Sequence, residues 1–178
     1  MKTSVHPSIM LGFCGAITGV INYGILVLDW QITNFMLGLC FGAAVALYLV
    51  IAFRLSKLRA FALVIGFGLS WFVAYWVGFL IALKLDLPES QYAFVGLISG
   101  AIGAAIVVGA FTIAYRDFAT RKAIIRTIAV GTFAGVLLRF GDHPYLLFVI
   151  WQGLIGVSLG WDKSIFMPVE IADPEPRS

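Results

Sequence analysis

Six apolar runs, near 8–28, 34–53, 60–83, 93–115, 123–140 and 145–161, take up almost the whole of this chain, and no acidic residue falls inside any of them. Each can cross a hydrocarbon layer of about 30 Å as a helix rising about 1.5 Å per residue, the last at the short limit. The connections between them are short, so successive helices are expected to be antiparallel neighbours. With 61% hydrophobic residues, 12% charged residues and a mean hydropathy of +1.01, the chain has more apolar surface than a soluble core of this size can hide, so its solvent must be lipid. The predicted fold is an all-α integral membrane protein with six transmembrane helices spanning residues 1–161. A polar, proline-containing tail, 162–178, is expected to be flexible. The first run, although Lys2 precedes it, is expected to be a span and not a cleaved leader, because no clear small-x-small site comes after it.

The net charge of +3 is carried by basic residues in short loops, which is no signal for nucleic acid. Those residues set an orientation. Arg54, Lys57 and Arg59 follow the second run, and Arg116, Arg121 and Lys122 follow the fourth, with Arg126 just inside the fifth. The opposite face holds only Lys84 and Arg139. Both termini are therefore expected in the cytoplasm, with the protein in the plasma (inner) membrane.

The chain also echoes itself. GAITGVINYG at 15–24 recurs as GAIGAAIVVG at 100–109, an offset of 85 residues. The same offset carries Val64, Ile65, Gly68 and Leu69 onto Val149, Ile150, Gly153 and Leu154, Arg54 onto Arg139, and Trp76 onto Trp161. It maps apolar run onto apolar run, which predicts two diverged three-helix halves, about 8–83 and 93–161. Each half has an odd number of spans, so the second enters from the opposite side, as a 3+3 inverted-topology repeat.

Small residues four apart recur in five of the six runs: Gly15/Gly19, Gly38/Gly42, Gly96/Gly100, Gly131/Gly135 and Gly156/Gly160. In lipid, close backbone approach replaces the hydrophobic force between helices, so these glycines are read first as packing surfaces. The same faces could slide during a transport cycle or join copies into a homo-oligomer. The third run lacks such a pair and carries aromatic residues instead; Trp71 falls near mid-depth, where its indole N–H needs a partner or a polar cavity. Cys14 and Cys40 are expected to differ by about 12 Å in depth, too far for a disulfide, and read as small packing residues.

Polar groups at depth are few. Asn22 shares a helix face with Gly15 and Gly19, and Gln152 shares one with Gly156 and Gly160. Counted in from their own helix ends, both lie roughly 20 Å from the cytoplasmic boundary. Their echoes are Val107 and Phe67, so this pair breaks the repeat. In hydrocarbon neither amide can stay unpaired cheaply. They are expected to meet each other, a backbone carbonyl, or water in a cavity, either as a structural bond or as the lining of a solute path. Arg139 pairs most simply with Asp142 at the outer rim; as the echo of Arg54 it could also mark a mouth for an anionic solute. The FGDHP stretch, 140–144, reads as a turn with an Asp cap and a Pro.

Haem ligation by paired intramembrane histidines is excluded, since His6 and His143 lie outside the runs. There is no zinc-ligand spacing or phosphate loop, so neither metal nor cofactor is expected. Acid, base and nucleophile groups at depth are too few to suggest an enzyme. The sequence points instead to a small transporter or channel for a small neutral or anionic solute. The path would lie between the inverted halves, with Asn22, Gln152, Trp71 and Arg139 as candidate lining residues. The alternative is a non-catalytic membrane subunit or assembly factor of a larger membrane complex.

Overall fold

The computed structural model describes residues 5–26, 33–115, 118, 120–139, 146–162 and 166, with the backbone alone for 25, 26, 33, 34, 90 and 139. Among these residues the chain is all-helical, without strands. The elements are α1 (Pro7–Leu26), α2 (Thr33–Phe53), α3 (Lys57–Leu85), a 3-10 turn (Glu89–Gln91), α4 (Tyr92–Ala114) and α5 (Arg121–Gly135). A second 3-10 turn (Val136–Arg139) ends α5, and a π-helical turn (Leu147–Trp151) leads into α6 (Gln152–Leu159). The stretch 140–145, with the whole FGDHP stretch and Asp142, and nearly all of the tail lie outside the described residues.

Local chemistry sets several of these boundaries. Pro7 opens α1 at the position where a missing N–H costs nothing. Thr120 caps α5, its side-chain oxygen accepting from the Ala123 N–H at 3.2 Å. α2 stops because Arg54 turns left-handed, with φ 55°. The Leu55 N–H then reaches back to the Leu49 carbonyl at 3.2 Å, the bond pattern of a helix end that usually has glycine at the turning position. Asp86 (φ 47°) ends α3 in the same left-handed region.

Among the described residues three helices are long and apolar enough to cross a membrane: Phe35–Phe53, Lys57–Leu85 and Tyr92–Ala114. α1 has 20 residues and α5 only 15, and the closing apolar segment Leu147–Leu159 is shorter still. The outside of the bundle is as apolar as its inside. Phe133 and Ile51 are each 73% exposed, and Ile9, Phe13, Leu47 and Ile113 are exposed on other helices. Water would not tolerate so continuous an apolar surface, whereas lipid tails match it.

The helices pack as a ring in chain order: α1 on α2, α2 on α3, α3 on α4, α4 on α5, α5 on α6, and α6 back on α1. Leu11, Phe41, Phe67, Phe111 and Ile155 are fully buried in the middle. Glycines make the closest crossings. A methyl on Gly156 would land on the Leu11 carbonyl, one on Gly15 on the Gln152 carbonyl, and one on Gly96 on the Gly135 carbonyl. Echoed glycines do not take echoed partners: Gly15 faces α6, whereas Gly100 faces α5. The detailed crossings thus do not follow the 85-residue echo.

Arg54, Lys57, Arg59, Arg121 and Lys122 gather at one end of the bundle, all exposed. An aromatic cluster fills the core beneath them. Phe166, well beyond the last helix, is buried there, 4.9 Å from the Phe53 ring and 5.3 Å from the Tyr115 ring. At least one residue of the tail is therefore packed against the bundle.

Candidate functional site

The fold brings three buried polar side chains of α1 and α6, Thr18, Asn22 and Gln152, into one region, while Ser158, also buried on α6, lies at the other end of that helix beside Thr127. Thr18 and Asn22 lie one turn apart on α1 and face inward, and Gln152 is the first residue of α6. Asn22 and Gln152 are fully buried and Thr18 almost so. Gln152 directly follows the π-helical turn at Leu147–Trp151. Such turns insert an extra residue per turn, widen the helix locally and re-aim the side chains beyond them. Here the turn puts Phe148 and Trp151 on the buried side and delivers Gln152 to α1.

Thr18 Oγ1 lies 3.0 Å from Gln152 Oε1, and also 2.8 Å from the Cys14 carbonyl and 3.0 Å from the Gly15 carbonyl. A hydroxyl has one proton, so it serves these three acceptors in turn and not together. Asn22 Nδ2 donates across to the Leu37 carbonyl on α2 at 2.9 Å. Two amide atoms remain buried without a partner: Asn22 Oδ1, an acceptor, and Gln152 Nε2, a donor. Rotating the Gln152 amide half a turn would give Nε2 to Thr18 and leave Oε1 bare. The rotation moves the deficit without removing it.

Aromatic residues wall this layer. Trp71 on α3 packs 5.1 Å from the Phe148 ring and 5.4 Å from the Trp151 ring. Trp151 donates its indole N–H to the Gly131 carbonyl at 3.1 Å, but the indole nitrogen of Trp71 is buried with no partner. A third polar tie, Ser70 Oγ to the Gly103 carbonyl at 2.7 Å, joins α3 to α4. Gly103 lies 85 residues after Thr18 in the sequence echo.

Asn22, Gln152 and Trp71 thus share one region. Asn22 and Gln152 do not join directly: one is held by a backbone carbonyl, the other by Thr18. Arg139 closes the 3-10 turn after α5, and its side chain lies outside the described residues. Sequence reasoning allowed a backbone carbonyl as partner without placing it at Leu37, and missed Thr18 and the π turn. Thr18 sits one turn before Asn22 on the same face, which was the available signal, but a mid-helix threonine ordinarily bonds its own helix. Cys14 and Cys40 are both free thiols. Among the described residues no group of three or more His, Cys, Asp or Glu could hold a metal.

Chemically, the layer sets hydrogen-bonding atoms beside aromatic rings. Three buried polar atoms, one acceptor and two donors, await partners in a region otherwise lined by rings and aliphatic side chains. Comparison with protein-family models, with curated proteins and with solved structures finds no match to this chain.

Proposed function

We propose that this protein is a small membrane transporter or channel for a small neutral solute, with the Asn22–Gln152 layer as the narrow polar point of its path. The observation that carries this reading is the pair of complementary unpartnered atoms, Asn22 Oδ1 and Gln152 Nε2, buried in one layer with the bare Trp71 indole N–H. An unsatisfied buried polar group costs about 1–3 kcal/mol, so three in one place argue for a guest that supplies both donor and acceptor. The side chains named in this layer carry no formal charge, which favours a neutral solute over an anionic one.

In this reading α1 to α6 make six crossings, arranged as two inverted halves. The closed ring of neighbours supports it, because α1 on α2 and α2 on α3 recur as α4 on α5 and α5 on α6. The two seams between the halves, α3 on α4 and α6 on α1, also exchange under the echo. The basic residues at one end of the bundle give the orientation, with both termini cytoplasmic.

The test is osmotic. Vesicles reconstituted with the purified protein and challenged with water, glycerol or urea gradients should swell faster than empty vesicles for at least one of the three. The variant carrying Asn22→Leu and Gln152→Leu should fold and lose that flux. Flux retained in a folded double variant would remove the layer from the path. A second protein that co-purifies in fixed ratio, together with no flux, would favour the subunit alternative.

A further inference from the structure

The bundle carries a groove on its lipid-facing side that the proposed path does not use. It lies between α5 and the last helix and encloses about 490 Å³. Ala129, Phe133 and Leu137 line one wall, Ile150 and Leu154 the other, and Arg126 stands at its end. The α5 residues recur every three or four positions, so they form one face. Gly131 and Gly135 point elsewhere, into α4. The groove stays unfilled because its floor on α5 includes alanine and because the helix opposite is short.

Three observations say what would fit. The first is length. From Arg126 to Leu137 the groove runs about 16 Å along the helix, close to half of a hydrocarbon core of about 30 Å. That is the depth of one leaflet. The second is chemistry. Every wall residue is apolar except the arginine at one end, which matches a hydrocarbon chain ending in a charged head. The third is the state of that arginine. Its Nη2 donates to the Ser158 carbonyl at 3.0 Å, while its Nε–H is buried with no partner. Arg126 lies five residues inside α5, about 7 Å from the helix start, within reach of the headgroup level for a long side chain. Arg121 and Lys122, both exposed, add positive charge at the same end. Asp162 is near enough to act on Arg126 electrostatically and would compete with an incoming anion. Thr127 and Ser158, in contact at 3.3 Å, tie α5 to α6 at this end and keep its width fixed.

We infer that this groove seats one acyl chain of an anionic phospholipid, with the lipid phosphate on Arg126. Basic pockets between transmembrane helices near the headgroup level favour such lipids. The site is independent of the path proposed above.

The test is native mass spectrometry of the full-length protein, released from detergent with equal amounts of dioleoylphosphatidylglycerol and dioleoylphosphatidylcholine. The wild-type protein should keep one phosphatidylglycerol at least fivefold more often than one phosphatidylcholine. Arg126→Gln should bring that ratio close to one, and Asp162→Asn should raise it. Should Arg126→Gln fail to fold, Leu154→Trp serves: Leu154 is 43% exposed at the groove, and the larger ring should reduce retention of both lipids. Added inorganic phosphate should leave the bound lipid in place. Equal retention of the two lipids by the wild type would overturn the inference. So would displacement by inorganic phosphate, an unchanged ratio in folded Arg126→Gln, or a dimer that Leu154→Trp dissociates, since the groove would then belong to a second copy.

Discussion

Thr18 and Gln152, 134 residues apart in sequence, meet at 3.0 Å where α1 crosses α6. The contact is polar, buried, and formed at the seam between the two sequence halves. Gln152 has no other side-chain hydrogen bond among those described, and its Nε2 has none at all. The two residues should therefore respond asymmetrically to replacement. Thr18→Val keeps the shape, deletes the only donor facing the amide, and leaves Gln152 wholly unsatisfied, at a cost of about 1–3 kcal/mol. Gln152→Leu removes the needy group itself and should be close to neutral for stability. Thermal unfolding in detergent, with the double variant to close the cycle, checks this; equal losses for both single variants would refute it.

Glycine positions should divide sharply by what faces them. A methyl at Gly156 meets the Leu11 backbone, which cannot move aside without separating α1 from α6. Gly156→Ala should cost more than about 2 kcal/mol, in the range of overpacked cores. Gly109 faces open space inside α4, and Gly109→Ala should stabilise by about 0.5–1 kcal/mol, the helix-propensity gain of alanine over glycine. Midpoints of thermal unfolding for the two variants give the comparison.

Arg54 occupies the left-handed position that ends α2, with φ 55°. A side chain there costs about 1–2 kcal/mol relative to glycine. Arg54→Gly should raise stability by up to that amount in the same unfolding assay. Lys57 and Arg59 remain, so orientation should not change.

Phe166 is 4% exposed and packs against Phe53, Phe111 and Tyr115. Phe166→Ala should lose about 3 kcal/mol, at the lower end of buried phenylalanine deletions because only one side chain of this segment is removed. Limited proteolysis should cut the tail of the variant faster than that of the wild type. Unchanged cutting would show that the ring does not hold the segment.

Glu89 and Lys57 are both exposed, at opposite ends of α3 and its following turn. Under the proposed orientation, with both termini cytoplasmic, an impermeant thiol reagent applied to intact cells should label Glu89→Cys and spare Lys57→Cys. The opposite pattern would invert the proposed orientation.

Much of this was legible from residue order, for definite reasons. The apolar runs end where Lys, Arg, Asp or Pro interrupt them, so helix bounds such as 92–114 against the expected 93–115 agree closely. Asn22 and Gln152 stand out because an amide inside hydrocarbon has few tolerable fates, and both are indeed buried. The register of helix against helix was not legible. Glycine spacing marks a face that can approach closely but not the helix that approaches it, and Gly15 and Gly100 chose different neighbours. The last run, 145–161, reads as a span at the short limit; no periodicity announces the widened turn at Leu147–Trp151 that buries Phe148 and Trp151. Nor does the sequence single out Phe166 from its apolar neighbours Ile165, Met167 and Val169 as the anchor.

The helices that share this ring are very unequal. α3 has 29 residues, about 43 Å of helix, whereas the apolar segment Leu147–Leu159 offers about 20 Å. In the proposed six-crossing arrangement one membrane must meet both. A long helix tilts or thickens the bilayer beside it, and a short one thins it. Around this protein the membrane would then be a wedge, thick along α3 and pinched along α6. Lipids on the pinched side would be stretched thin near Gln152 and Arg126, and membranes of different thickness would hold the protein at different strain. Its place among the membranes of a cell would follow from that mismatch as much as from any address in its loops.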